Sequence, residues 1–246
     1  MGKLYVIGIG PGGLDQMSIK AKEVLEKVDV IVGYVKYIDM VKPLIKDKEI
    51  YSNGMKGEEA RCIEALKLSE DKDVAVISTG DSGIYGMAGL ILELKENNHD
   101  VEVIPGITAS SAAGSVLGAP LMHDNCNISL SDLMTDYELI KKRIKLAAEG
   151  DFIISLYNPK SKGRPDYLRE AIEIIKEFRD DSTPIGIVKN ALRDGQEAYL
   201  TTIGEFTDEN VDMMSIVIIG NSQSYIKDGF FITPRGYKLE QKKWLE

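Results

Sequence analysis

Short apolar runs alternate with amphipathic segments through the first half of the chain. The runs are five to seven residues long and predict buried β-strands, whereas apolar residues recurring every three to four positions predict helices. Ser18 is the predicted N-cap of the first helix. Strands that alternate with helices indicate a mostly parallel sheet covered on both faces. The predicted strands are 4–9, 29–33, 73–79 and 101–105, and the predicted helices are 18–28, 34–45 with a break at Pro43, 58–69, 84–96 and 108–117.

The pattern changes at the stretch LGAPLMHDN (117–125), which contains Gly, Pro and polar residues. We place a domain boundary there, between an N-terminal α/β domain (1–118) and a C-terminal α+β domain (119–246). The last predicted strands are separated by short loops, which indicates a mixed sheet. The predicted fold class is therefore α/β with two domains. The predicted strands of the second domain are 126–132, 151–158, 184–190, 197–203 and 214–220, and its helices are 137–148 and 166–178.

Composition excludes several classes of function. The 246 residues carry a net charge of −9, which disfavours nucleic acid as a partner, although a local cation cluster can still hold one anionic ligand. Two cysteines and two histidines predict neither a disulfide framework nor a metal site, and they fit a reducing cytoplasm. No apolar run approaches the ~20 residues of a membrane span, so no membrane association is expected. The N-terminal residues lack a signal-peptide pattern.

The stretch GIGPGG (8–13) matches the dinucleotide-binding pattern G-x-G-x-x-G. In that motif the helix begins within the glycines, and an acid follows the second strand about 20 residues on. Here helical periodicity begins only near Ser18, and the second strand ends as VIVGYVKY with no acid at its end. An NAD(P)-dependent oxidoreductase is therefore a minor alternative. A tight turn without a ligand is another.

Two further glycine-containing loops follow strands, STGDSGIYG (78–86) and IPGITASSAAG (104–114). Ligands of open parallel sheets lie beyond the carboxyl ends of the strands, so we expect all three loops to meet at one edge. Asp81 is predicted to accept a hydrogen bond from a ligand, or alternatively to form an Asx-turn. Thr108 is predicted to cap the next helix and to contact a ligand, with capping alone as the alternative.

Together, GIGPGG, GDSGIYG and PGITAS resemble the three ordered motifs of the tetrapyrrole (corrin/porphyrin) methylase family. The stretches NGMKGEEARC, GAPLMHDNCNISLSDLMT and LYNPKSKGRP look closest to the branch that methylates C17 of precorrin-3B, or of cobalt-factor III, and contracts the ring. The resemblance implies a role in cobalamin biosynthesis. It also implies S-adenosylmethionine as methyl donor (S-adenosylhomocysteine as product), a cofactor site in the cleft between two α/β domains, and a homodimer.

The resemblance also assigns cofactor contacts, residue by residue. The sequence departs from the family pattern at Gly13, where Asp is usual, and at Ser82, where Pro is usual. Tyr34 stands where some relatives carry Asp, so a catalytic carboxylate is not expected there. The cofactor-binding residues implied by the resemblance are Pro11, Thr79, Gly80, Asp81, Ile84, Thr108, Ala109, Tyr157, Asn158, Asn190 and Ala191.

A corrinoid precursor is a large, partly apolar ring fringed with carboxylates, so its site needs cations and an apolar floor. The loop NPKSKGRP (158–165) contains three cations and is followed by its first acid at position 166. An ordinary solvated loop is the alternative interpretation. The predicted substrate-binding residues are Gly10, Gly12, Lys56, Arg61, Lys160, Lys162, Arg164 and Arg235.

Lys56 and His123 are the candidate catalytic residues. Lys56 is interpreted as an acid/base group or, preferably, as an anchor for a substrate carboxylate. His123 can move protons near neutral pH, or it can be structural. Other family activities remain open: methylation of another ring carbon, diphthine synthesis on a protein, and ribose methylation of ribosomal RNA. A non-catalytic corrinoid-binding scaffold is the remaining alternative.

Overall fold

The computed structural model describes residues 2–237, which form two compact units. The first unit ends at Ala112 and the second begins at Ala113, inside helix α5 (Ala109–Leu117). The predicted boundary, at residue 118, lies just past the end of the same helix.

The first unit contains one sheet of five parallel strands in the order β3-β2-β4-β1-β5. Helices cover both of its faces, as the alternation of apolar runs predicts. Its strands are β1 (Lys3–Gly8), β2 (Val30–Tyr34), β3 (Glu49–Asn53), β4 (Val74–Ser78) and β5 (Asp100–Ile104). Its helices are α1 (Ile19–Lys27), α2 (Val35–Val41), α3 (Glu58–Leu68) and α4 (Ala88–Leu94), followed by α5.

The two faces of this sheet form separate hydrophobic clusters. Ile7 of β1 packs in a cluster with residues of α1 and α2, whereas Val6 packs in another cluster with residues of α3 and α4. The alternation follows from the period of two in a strand, which sends neighbouring side chains to opposite faces. Each fully buried aliphatic side chain contributes roughly 1.5–3 kcal/mol to stability.

The second unit contains a five-stranded mixed sheet in the order β10-β9-β11-β8-β7, in which only β7 and β8 are parallel neighbours. A small second sheet has the order β12-β13-β6. The strands are β6 (Gly118–Ala119), β7 (Asn125–Ser129), β8 (Ile153–Tyr157), β9 (Pro184–Lys189), β10 (Glu197–Thr202), β11 (Ser215–Ile219), β12 (Tyr225–Lys227) and β13 (Phe230–Ile232). The helices are α6 (Tyr137–Glu149) and α7 (Tyr167–Lys176).

The fold confirms the predicted class, and several element boundaries differ from the prediction. Strand β3 was not predicted, because its sequence EIYSN is only partly buried and lacks an apolar run. Helix α4 begins at Ala88 rather than Ile84, because Tyr85 has a φ of 56° and residues 82–87 form a loop. The break predicted at Pro43 is confirmed, since α2 ends at Val41 and residues Lys42–Leu44 form a 3-10 turn that contains Pro43. Ser18 caps α1 as predicted, with its hydroxyl accepting from the Ala21 N–H at 3.2 Å.

Among residues 2–237, no helix combines the length and the apolar character needed to span a membrane. The same residues contain no group of three or more His, Cys, Asp or Glu side chains placed to hold a metal ion.

Both cysteines are expected to resist alkylation in the native protein at pH 8. Burial raises the pKa of the Cys62 and Cys126 thiols to about 11, so the reactive thiolate is scarce at that pH. Iodoacetamide labelling followed by mass spectrometry should find neither residue modified in the native protein and both modified in denaturant. Rapid native labelling of Cys62, which is fully buried, would contradict the structure.

Candidate active site

The loops after β1 and β4 are joined by a pair of backbone hydrogen bonds. The Gly10 N–H donates to the Gly80 carbonyl at 3.1 Å, and the Gly80 N–H donates to the Gly10 carbonyl at 2.8 Å. Both glycines have a φ near +70°, a conformation that side chains disfavour. This contact between the two loops therefore favours glycine at positions 10 and 80.

The loop after β5 packs against the ends of β1 and β4 where these two loops begin. A Cβ atom on Gly106 would lie 2.2 Å from the Gly80 carbonyl oxygen and 2.5 Å from that of Gly8. Strands β4, β1 and β5 are adjacent and parallel, so their carboxyl ends meet at one edge of the sheet. The prediction that the three glycine loops meet at one edge is confirmed.

Asp81 connects two of these loops through both carboxylate oxygens. Its Oδ1 accepts from the Gly83 N–H at 2.8 Å, and its Oδ2 accepts from the Gly106 N–H at 2.9 Å. The Asx-turn interpretation is thus correct for one oxygen, and the other oxygen makes a contact that spans 25 positions of the sequence. Contact with a ligand stays a prediction for this half-buried side chain.

Ser82 replaces the family's usual proline and is fully buried. Its hydroxyl lies 3.3 Å from the Val6 carbonyl and 3.4 Å from the Ile104 carbonyl, so it can donate to β1 or β5. The Ser82 carbonyl also accepts from the Ala88 N–H at the start of α4. The serine therefore ties its loop to the sheet, a role that its position in the sequence did not indicate.

The geometry of the first loop argues against dinucleotide binding. Helix α1 begins at Ile19, after a 3-10 turn at Leu14–Gln16, so its N-terminus does not lie within the glycine motif. Strand β2 ends at Tyr34 without an acid.

Beside the first glycine loop, a pocket of ≈ 390 Å³ is lined by Asp15, Gln16, Met17, Ser18, Pro105, Gly106 and Ile107.

The other predicted ligand residues of the first unit occupy the same edge. Pro11 is buried. The Thr108 carbonyl accepts from the Ala112 N–H at 3.0 Å, so Thr108 directly precedes α5 at the expected N-cap position. The half-buried residues at this edge are Gly12, Thr79, Ile84, Thr108 and Ala109.

Lys56 lies on the loop between β3 and α3, and Arg61 holds that loop in shape. The Arg61 guanidinium is nearly buried, and it donates to the Asn53 side chain, to the Gly54 carbonyl at 3.0 Å and to Glu58 at 3.3 Å. Lys56 is exposed, and its ammonium group pairs with no residue in the described part of the chain. Of the two predicted substrate contacts, only Lys56 presents its charge to solvent.

Strands β7, β8 and β9 of the second unit end at the same edge of their sheet, because β8 and β9 both run antiparallel to β11. Asn158 and Asn190 follow β8 and β9 with φ values of 51° and 48°. Asparagine tolerates this region better than most residues, and such strained positions cluster at functional sites. Tyr157 and Ala191, beside them, are largely buried. The four predicted cofactor residues therefore lie at one edge.

The three cations of the loop 158–165 differ in their surroundings. Lys160 donates to the Asp208 carboxylate at 2.8 Å, and Arg164 donates to Asp132 at 3.1 Å. Lys162 is exposed and forms no ion pair with any residue among 2–237. The prediction treated the cluster as one group, and the structure separates two paired cations from one solvated cation.

His123 and Arg235 both form hydrogen bonds with the backbone of residues 122–124. The His123 Nδ1 accepts from the Asp124 N–H at 2.9 Å, so Nε2 is the nitrogen that carries the proton in the neutral ring. The Arg235 guanidinium donates to the Met122 carbonyl at 3.2 Å. Both side chains are exposed and can contact a ligand.

Several residues that shape the site were not found from the sequence. Asn53 bonds Arg61, Ser129 accepts from the Asn158 amide at 2.9 Å, and Asp132 bonds Arg164. Each is a polar residue near a strand end. Polar residues at such positions are common in solvated loops, so the sequence pattern does not single them out.

Comparisons with known proteins agree with these motifs. The family model described as Tetrapyrrole (Corrin/Porphyrin) Methylases matches residues 3–207. The chain is 50% identical to a Salmonella typhimurium protein named probable cobalt-factor III C(17)-methyltransferase, over 96% of this chain and 100% of that protein. It is 34% identical to a Sinorhizobium precorrin-3B C(17)-methyltransferase, over 96% of this chain and 97% of that protein. The crystal structure of the methyltransferase CobJ has a TM-score of 0.91 at 32% identity, covering 95% of this chain and 100% of that one.

Proposed function

Because this chain belongs to the tetrapyrrole (corrin/porphyrin) methylase family, we propose that it methylates C17 of cobalt-factor III or precorrin-3B in cobalamin biosynthesis and contracts the macrocycle. The observation that carries the proposal is the near full-length identity of 50% to a relative named for this reaction. S-adenosylmethionine is the proposed methyl donor, since the family is one of methyltransferases. Although the first glycine loop matches the dinucleotide pattern, α1 begins only at Ile19 and β2 ends without an acid, which disfavours a dinucleotide.

Methyl transfer from a sulfonium needs alignment more than covalent help. The carbon nucleophile must lie in line with the methyl–sulfur bond, with water excluded. In the first unit, the loops after β1, β4 and β5 contain the proposed cofactor contacts Pro11, Gly80, Asp81 and Thr108. The proposed cofactor contacts of the whole chain are Pro11, Thr79, Gly80, Asp81, Ile84, Thr108, Ala109, Tyr157, Asn158, Asn190 and Ala191.

For the substrate, we propose that exposed cations bind its carboxylates. Lys56 and Arg235 meet this requirement because both side chains are exposed. In the first unit, Gly10 and Gly12 are further proposed substrate contacts. Ring contraction also needs proton transfers, and His123, with its Nε2 proton directed away from the Asp124 N–H, is the proposed group.

We further propose a homodimer, on the family resemblance alone. A cytoplasmic location is proposed because the two widely separated cysteines fit a reducing compartment. Nucleic acid is not proposed as a partner, because the net charge of −9 disfavours binding to a polyanion. A membrane is not proposed either, because no apolar run in the sequence approaches the ~20 residues of a membrane span.

The test is anaerobic incubation with methyl-labelled S-adenosylmethionine and either cobalt-factor III or precorrin-3B. We expect one labelled methyl group at C17 and a contracted ring, located by mass spectrometry and NMR. A methyl group at another carbon would contradict the assigned branch. Ring binding without labelled product would indicate a scaffold, and binding of NADP without S-adenosylhomocysteine would contradict the methyltransferase assignment.

A further inference from the structure

Arg164 is bound to the loop that follows β7. Its Nη1 donates to the Ser131 hydroxyl at 2.9 Å and to Asp132 Oδ1 at 3.1 Å. Only 10% of its side chain is exposed. Its Nε is shielded from solvent and has no hydrogen-bond partner among residues 2–237. A guanidinium held in this way is poorly placed to receive a substrate carboxylate.

Asp132 is held from its other side as well. The Tyr167 hydroxyl donates to Asp132 Oδ2 at 2.8 Å, and the Tyr167 ring stacks on Tyr137 with centroids 3.7 Å apart. The Tyr167 and Arg164 hydrogen bonds hold the pKa of the Asp132 carboxyl below its usual value. The first part of loop 131–136 (Ser131–Asp136) is thus fixed to Arg164, three positions before α7, and to Tyr167, the first residue of that helix.

The far end of loop 131–136 is fixed too, since the Asp136 carboxylate caps α6 by accepting from the Glu138 N–H at 2.9 Å. Between the two fixed ends, Leu133 is 69% exposed and Met134 is 96% exposed. Two adjacent apolar side chains are therefore presented to solvent at the edge where β7, β8 and β9 end, the edge that also carries Asn158 and Asn190.

Lys162 is the third cation of the neighbouring loop 158–165, and it differs from the other two in its surroundings. Lys160 is neutralised by Asp208, with its ammonium 2.8 Å from the carboxylate and 3.0 Å from the Asp208 carbonyl. Arg164 is neutralised by Asp132. Within the described chain, the exposed Lys162 ammonium has no such partner.

We propose that Arg164 is a positioning residue that fixes loop 131–136, that Leu133 and Met134 contact an apolar face of the tetrapyrrole, and that Lys162 binds one of its carboxylates. This inference rests on the proposed function. It assigns the apolar contact to loop 131–136 and the charge contact to loop 158–165. A ring with an apolar face and a charged fringe needs both kinds of contact at once.

The apolar contact is tested with Leu133→Gln and Met134→Gln, which keep side-chain size and remove apolar character. We expect KM for the tetrapyrrole to rise at least about fivefold in each, with melting temperature and S-adenosylhomocysteine Kd unchanged, because the side chains bury little in the free protein. Leu146→Gln on α6, at a position 56% exposed, is the control and should leave KM unchanged. An unchanged KM in both loop variants would overturn the contact.

The charge contact is tested with Lys162→Met, for which we expect KM to rise about tenfold while kcat changes little. Lys142→Met, at an exposed position on α6, is the matched control. If wild-type protein turns over neither tetrapyrrole, the proposed function fails. If wild type is active and Lys162→Met behaves like Lys142→Met, only the present inference fails.

The positioning role is tested with a double-mutant cycle. Arg164→Met and Asp132→Ala should each raise KM, and the double variant should be no worse than the poorer single variant, because both substitutions remove the Arg164–Asp132 pair. Arg164→Lys should recover part of the loss by donating one hydrogen bond to Asp132, and it serves as the folded variant if Arg164→Met does not accumulate. Multiplicative effects of the two substitutions would show that Arg164 acts on substrate independently and would overturn the proposal.

Discussion

Replacing Gly106 with alanine is expected to lower the free energy of unfolding by about 3 kcal/mol and to abolish methyl transfer. The added Cβ would lie 2.2 Å from the Gly80 carbonyl oxygen and 2.5 Å from the Gly8 carbonyl oxygen. Both atoms belong to the backbone of adjacent strand ends, so no side-chain rotation can relieve the overlap. The loops after β1, β4 and β5 must then separate, and the Gly106 N–H moves away from Asp81.

Denaturation followed by circular dichroism measures the loss, and Gly89→Ala is the matched control. Gly89 lies in α4, and a Cβ there meets nothing within 4 Å, so alanine should be neutral or stabilising by up to ~1 kcal/mol. Equal stability of the Gly106 and Gly89 variants would mean that the three loops are not packed as described.

Asp81→Ala is expected to weaken S-adenosylhomocysteine binding by more than about tenfold, a change of ~1.4 kcal/mol. It should also destabilise the fold by about 1.5–3 kcal/mol, since the two backbone N–H groups of Gly83 and Gly106 lose a charged acceptor. Asp81→Asn keeps one carbonyl oxygen and should fall between alanine and wild type.

Isothermal titration with S-adenosylhomocysteine separates the two effects. Asp47→Ala, at an exposed loop position, removes an equal charge and should alter neither affinity nor melting temperature. If Asp81→Ala loses stability but binds S-adenosylhomocysteine within about twofold of wild type, Asp81 organises the loops without contributing to the cofactor site.

The arrangement of the glycine loops could be predicted because it depends on a general rule of parallel sheets. Once β1, β4 and β5 are recognised as buried runs, their carboxyl ends share an edge, and the motifs that follow them must meet there. The residues at the ends of β8 and β9 are assigned from the family resemblance, because the second sheet is mixed and the rule for parallel strands does not apply to it. Strand β3 could not be predicted, because an edge strand with one exposed face carries no continuous apolar run.

The charged residues show the limit of sequence reasoning most clearly. Lys56 and Arg61 are five positions apart, yet Arg61, in the first turns of α3, is nearly buried among acceptors of the preceding loop, whereas Lys56 in that loop is exposed. In the loop 158–165, Arg164 bonds Asp132, which is 32 positions away, while Lys162 stays solvated. A cation in a loop has the same local pattern in either case, because its partner lies elsewhere in the chain.

The sequence by itself determined the α/β class, the buried strands, the helix cap at Ser18 and the family to which three ordered motifs belong. These features depend on local periodicity, on backbone preferences of glycine and on residues that are close together in the chain. Only the tertiary structure decided that Asp81 bonds the Gly106 N–H, that Ser82 ties its loop to β1 or β5, and which cations remain free. Those outcomes depend on hydrogen-bond pairing between distant segments, which forms only when the sheets bring the strand ends together.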